Sequence, residues 1–277
     1  MVWSTWGIIV KHLQIDAVQM VFFTALFSLP AIIAIIVIKN HEFRKSIFLI
    51  RKNYLLLAFL AFSLLLNNFF YFAAFNRTSI AISVFTHYTA PLFVVMLTPF
   101  MLAENFDRRL VVPLLIATLG LASILMPDYQ FLPNSADMAG AFCGIASGLA
   151  YAFTLIFAKR LTAKISPLTL ILGQSFFIAL FLLPVIYFTP MPVMPISNWY
   201  WLLILGITHC TMAPLLYITG LKYIKAQHAA AVGYLEPLAA VLLGLFLAHE
   251  APSTSIWIGG AAILLSGAII TCHKTST

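Results

Sequence analysis

The chain has 277 residues, of which 62% are hydrophobic and 8% charged. A soluble domain cannot hide that much apolar surface, so the composition excludes a globular enzyme or binding module in water and points to a multi-pass integral membrane protein in a lipid bilayer. The formal net charge of +7 does not argue for a nucleic-acid partner, because the basic residues lie in short tracts between apolar runs, where they act as topology signals.

A helix needs roughly 17 to 25 mostly apolar residues to cross about 30 Å of hydrocarbon. Met1–Gln14 reads as a half-span, and nine full spans follow at 17–38, 54–75, 79–103, 110–126, 137–158, 167–189, 199–221, 226–248 and 255–272. If the half-span counts as a crossing and the N-terminus is inside, thirteen of the fifteen Lys and Arg residues face the cytoplasm and only Lys11 and Arg77 face out. The expectation is an all-α integral membrane protein of ten helices with both termini cytoplasmic, in the inner membrane if the source is bacterial. Fourteen residues reach only about 21 Å as helix, so the first helix reads as N-terminally shortened. A secretory signal peptide fits less well, since no basic leader or cleavage-like site is present. Cys143, Cys210 and Cys272 show neither metal nor redox spacing and read as reduced structural thiols.

Shifting the chain by 146 positions superimposes Tyr71, the His87–Pro91 stretch and Glu104 on Tyr217, Gly233–Pro237 and Glu250 without a gap. At an offset of 154, "FFTALFSLPAI" (Phe22–Ile32) falls on "FFIALFLLPVI" (Phe176–Ile186), the difference being taken up in the loop that holds the basic Lys39–Asn53 tract. Two repeats follow, 1–126 and 137–272, joined by an outer linker at 127–136. Because five helices is an odd number, the second half enters the membrane in the opposite sense, the inverted-topology arrangement of many secondary transporters.

The order of "W-S" at Trp3-Ser4 with Lys11 eight residues on, "ML-AEN" closing the fourth span and "YLEP…AHE" in the ninth resembles the drug/metabolite transporter superfamily, specifically its EamA family. The resemblance covers essentially the whole chain. It implies a secondary transporter of small organic metabolites, often an exporter of amino acids or related amphipathic solutes. It also implies a central cavity lined mainly by the first, third, fourth, sixth, eighth and ninth helices. Many members carry an arginine early in the second helix, whereas this chain has no Arg or Lys between Lys11 and Lys39.

Of eight acidic residues, only Glu236 lies deep within a span; the others sit at helix ends or in loops. A carboxylate at that depth faces a cavity, pairs, or takes a proton. It is either a site for a substrate amine or for proton or cation coupling, or a neutral acid bonded to a tyrosine or to a carbonyl freed by proline. Pro91 and Pro237 fall at equivalent midplane points, where a transporter would break or hinge its helices, and where inherited packing kinks would equally fall. A polar stripe of Ser63, Asn67 and Tyr71, with Asn68 beside it, has His209, Ala213 and Tyr217 as its counterpart; such stripes either line the path or glue helices together. His87 lies one turn from Pro91, as proton carrier or hydrogen-bonding strut. Trp3 and Tyr151, and likewise Tyr88 and Tyr234, are equivalent aromatic pairs that would wall a cavity suited to flat or amphipathic solutes. Gly140, Gly144 and Gly148 form a small-residue zipper best explained by close helix packing.

The competing classes are an intramembrane enzyme and a channel or membrane scaffold. Against the first, the sequence has no HExxH, no GxSG and no paired intramembrane aspartates, and "GIASG" at Gly144–Gly148 has the wrong spacing for a serine nucleophile. A channel or scaffold would need neither repeat nor buried acid. No motif implies a cofactor or a metal, and a phosphate-binding loop for ATP drive is missing. The residues do not name the substrate, the direction of transport, the coupling ion or the oligomeric state.

Overall fold

A computed structural model describes Leu13 and residues 15–38, 43–125, 135–190, 194–239, 242 and 254–272. Trp3, Trp6, Lys11 and Glu250 lie outside them. All regular structure among the described residues is helical: α1 (Ala17–Ile38), α2 (Phe43–Lys52), α3 (Tyr54–Phe75), α4 (Ile80–His87), α5 (Ala90–Met101), a single 3₁₀ turn (Arg108–Leu110), α6 (Val111–Leu125), α7 (Ser135–Thr162), α8 (Pro167–Phe188), α9 (Ile196–Ile207), a π-helical turn (Thr208–Met212), α10 (Ala213–Leu221), α11 (Ala226–Val232) and α12 (Thr254–Cys272).

Seven helical stretches among these residues are long and apolar enough to cross a bilayer, each carrying at most two charged side chains in its apolar window. At 1.5 Å per residue, the 22 residues of α1, α3 and α8 span about 33 Å. Their outer surfaces suit lipid rather than water: Phe100 is 88% exposed and Phe188 84%, exposure that a hydrocarbon solvent tolerates. The protein is therefore an all-helical, multi-pass membrane protein.

Three local features depart from plain spans. The basic tract expected as loop contains α2, a ten-residue helix with apolar and basic side chains interleaved as FRKSIFLIRK. The span 79–103 divides into α4 and α5 at Tyr88-Thr89. The span 199–221 is interrupted by the π turn, where one extra residue widens the helix and Thr211 Oγ1 donates 3.0 Å to the Gly206 carbonyl, five residues back.

The chain forms two compact units. One comprises Leu66–Ile156 and Ile224–Thr277, the other Val2–Leu65 and Phe157–Tyr223. In the first, α6 packs on α12 and α5 on α11 around a core that includes Leu114, Leu121, Tyr234, Leu238 and Ile263. The α6–α12 approach needs glycine, because a Cβ on Gly120 would meet the Gly259 carbonyl at 2.8 Å. In the second unit α1 packs on α8 and α9, with Ala25, Ala61 and Ile178 at the centre and Ser28 Oγ 2.8 Å from Ser175 Oγ.

Candidate functional site

The site begins with the missing amide hydrogen of Pro91. His87 is four residues earlier, so its carbonyl loses the usual helical donor. The next amide shifts as well: the Leu92 N–H donates to Thr89 at 3.0 Å, not to Tyr88. The freed Tyr88 carbonyl is met from α11's side of the unit, where the Tyr234 hydroxyl donates to it at 2.9 Å. Thr118 Oγ1 of α6 lies 2.9 Å from the same hydroxyl, so the break is braced by two helices rather than left open.

Pro237 has a matching effect. The Glu236 N–H donates to Gly233 at 3.0 Å and the Gly233 N–H to Ala230 at 3.0 Å, three-residue bonds that replace the normal ladder. The chain turns at Gly233-Tyr234 and helical structure resumes over 235–239. The two breaks overlap at the equivalent tyrosines, Tyr88-Thr89 two to three residues ahead of Pro91 and Gly233-Tyr234 three to four ahead of Pro237.

Around the first break three tyrosine rings gather on His87, and a fourth joins them through Tyr88. Ring centroids lie 4.4 Å from Tyr71, 5.5 Å from Tyr88 and 5.7 Å from Tyr151, and Tyr88 reaches Tyr234 at 5.9 Å. Glu236 lies beside this cluster, near the Tyr88 and Tyr71 side chains. His87, Tyr88, Tyr151 and Glu236 are all half-buried.

Behind the rings runs a buried polar relay. Ser147 Oγ donates to Asn67 Oδ1 at 2.9 Å and lies 2.8 Å from His87 Nδ1. A hydroxyl has one hydrogen. With that hydrogen on the Asn67 carbonyl oxygen, His87 Nδ1 must be the donor, which leaves Nε2 of a neutral imidazole as an acceptor. Ser147 was hidden in the sequence inside the small-residue stripe of α7, where it looked like one more packing position; its place one residue before Gly148 was the available signal.

That stripe is what lets α7 approach. A Cβ on Gly148 would lie 2.7 Å from the His87 carbonyl, one on Gly144 would collide with Thr86 Oγ1, and one on Gly140 would collide with Thr78. Thr78 Oγ1 in turn donates 2.6 Å to Asp137 Oδ1 near the start of α7.

Of the residues singled out in the sequence, Asn67, Asn68, Tyr71, His87, Tyr88, Pro91, Gly140, Gly144, Gly148, Tyr151, Tyr234, Glu236 and Pro237 fall in the first unit. His209 and Tyr217 fall in the second, where His209 is buried with Nδ1 2.7 Å from Thr208 Oγ1. Ser63 is also there, its hydroxyl donating to Leu60 at 2.9 Å. Glu104 of the "AEN" motif has a structural part that the sequence did not reveal: both carboxylate oxygens lie 3.1 Å from the Ala226 N–H and cap α11. Gln227 extends that clamp by donating to the Asn105 carbonyl at 3.1 Å, and His228 Nε2 lies 3.7 Å from Asp107 Oδ2.

Among the described residues no group of three or more His, Cys, Asp and Glu side chains could hold a metal. What the cluster offers is a carboxylate beside electron-rich ring faces, a combination that receives ammonium groups, together with an imidazole nitrogen able to accept a hydrogen bond.

The EamA-like transporter family matches the chain over residues 1–126 and 138–272. An uncharacterized transporter of Archaeoglobus fulgidus is 30% identical over 194 residues, covering 70% of this chain and 68% of the relative. The uncharacterized transporter YxxF of Bacillus subtilis is 26% identical over 182 residues, which is 66% of this chain and 58% of that protein. A solved crystal structure superimposes with a TM-score of 0.83 at 20% identity, covering 98% of this chain and 93% of the other; at that identity the likeness is one of fold.

Proposed function

Because the chain belongs to the EamA-like transporter family, we propose that this membrane transporter is a secondary carrier that exports small organic metabolites, amino acids or related amphipathic solutes. Its two halves act as inverted five-helix repeats that expose a midplane cavity alternately to either side. Glu236 receives the substrate amine or the coupling proton. Tyr71, Tyr88, Tyr151 and Tyr234 wall the apolar part of the solute, and Pro91 and Pro237 supply the helix breaks about which the halves hinge.

The observation that carries this reading is the nearness of Glu236, the one deep carboxylate among the described residues, to Tyr88 and Tyr71 of the His87-centred ring cluster. An acid kept only for packing would have no use for aromatic ring faces beside it, whereas an amphipathic cation needs both. The test is flux in reconstituted vesicles across amino acids and related metabolites, with and without a proton gradient. Glu236→Gln should abolish the gradient-dependent component while its unfolding profile in detergent stays that of the parent. Coupled flux at the parental rate in that variant would remove Glu236 from the mechanism.

A further inference from the structure

Away from the ring cluster, and wholly within the second unit, a cavity of about 460 Å³ is lined by Lys45, Lys159, Lys164 and Lys222 together with the hydroxyl residues Ser46 and Thr169. We propose that this cavity is a binding site for a phosphate-bearing anion, the head group of an acidic phospholipid or a soluble phosphate.

The lysines come from three separate parts of the chain, so their convergence is not a run of sequence. Lys159 is fixed: its Nζ donates to the carbonyls at the end of α10, 2.9 Å from Leu221 O and 3.4 Å from Lys222 O. Lys45, Lys164 and Lys222 are exposed, and no carboxylate among the described residues pairs with them. Bringing Lys45, Lys164 and Lys222 together with no paired carboxylate among the described residues is unfavourable unless an anion visits.

Hydroxyl side chains at a helix start share the lining with the lysines. Thr169 is buried and its Oγ1 lies 3.0 Å from Ser46 Oγ and 2.9 Å from Ser166 Oγ. Ser166 is the N-cap of α8, and its side chain accepts from the Thr169 N–H at 3.2 Å. The positive end of a 22-residue helix therefore adds to the lysines, as at other anion sites.

α2 puts this site at head-group depth. It contributes Lys45, Ser46 and Leu49 to the lining, while Phe48 stands 64% exposed and Ile47 39%. Basic and apolar side chains sharing one short helix mark an element lying in the plane of the bilayer surface.

The test uses the purified full-length protein in nanodiscs and follows thermal unfolding by intrinsic fluorescence. Three media are compared: phosphatidylcholine alone, phosphatidylcholine with phosphatidylglycerol, and phosphatidylcholine with inorganic phosphate against chloride at matched ionic strength. Stabilisation by phosphatidylglycerol alone identifies a lipid site, and stabilisation by inorganic phosphate a soluble-anion site; either supports the proposal. The double variant Lys45→Gln/Lys164→Gln should bind the stabilising anion roughly tenfold or more weakly, as expected for lost charge-assisted contacts. Lys52→Gln, on α2 but outside the lining, should respond like the parent. Should the double variant not fold, Lys164→Gln alone serves with the same readout. No response to either anion, or equal responses in the cavity variant and the parent, overturns the proposal.

Discussion

At the residue scale, the buried relay and the bracing hydroxyl make separable contributions. Ser147 is fully buried, so Ser147→Ala strands the His87 Nδ1–H and the Asn67 carbonyl oxygen at once. Leaving buried groups unpaired costs about 1–3 kcal/mol, and chemical unfolding in detergent should show a loss of that size. Transport should fall too, because His87 would lose the partner that sets its tautomer. Tyr234→Phe removes the donor to the Tyr88 carbonyl while keeping the ring. Its stability loss should be nearer ~1 kcal/mol, with Thr118 remaining close enough to the break to admit water. The comparison of these two variants separates loss of a strut from loss of a brace.

At the element scale, the glycines of α7 mark how closely a helix can approach a broken neighbour. Gly148→Ala drives a methyl group to within 2.7 Å of the His87 carbonyl. Such overpacking costs roughly 1–3 kcal/mol, and thermal stability should fall accordingly. Gly220, near the end of α10, has nothing within 4 Å of its missing Cβ. Gly220→Ala should therefore leave stability unchanged or raise it by about 0.5–1 kcal/mol through helix propensity. The long elements were legible because a continuous apolar run of bilayer length leaves little choice: Ala17–Ile38 and Tyr54–Phe75 coincide with the expected 17–38 and 54–75. The short ones were not. α2 has four charges in ten residues, so a reading tuned to long apolar runs passes over it. The π turn at Thr208–Met212 has no compositional signature, since one inserted residue in an apolar helix leaves hydropathy unaltered. In the cluster, Glu236 and the prolines were conspicuous as wrong residues for lipid, whereas Ser147 was camouflaged among residues of its own size.

At the scale of the whole molecule, topology is the prediction that the inverted repeat stakes most on. In a background with the native cysteines replaced, Arg77→Cys should react with an impermeant maleimide from outside intact cells. Lys164→Cys should react only after the membrane is opened. Labelling of both from one side would refute the crossing pattern on which the repeat depends. If the repeat holds, the contact of Tyr88 with Tyr234 takes on a geometric meaning. The two are 146 positions apart, the offset that relates the halves, so each tyrosine touches its own counterpart. Only a residue next to a two-fold axis can do that. A single-repeat ancestor pairing with an upside-down copy of itself would have set this tyrosine against its twin, each hydroxyl aimed at the other's backbone. One such bond is present, from Tyr234 to the Tyr88 carbonyl. The other tyrosine, Tyr88, lies near Glu236, which stands where the same offset places Ala90 in the first half. On that reading the carboxylate stands where the reciprocal arm would have reached, and Glu236→Ala is expected to leave the Tyr88 hydroxyl free to seek the backbone.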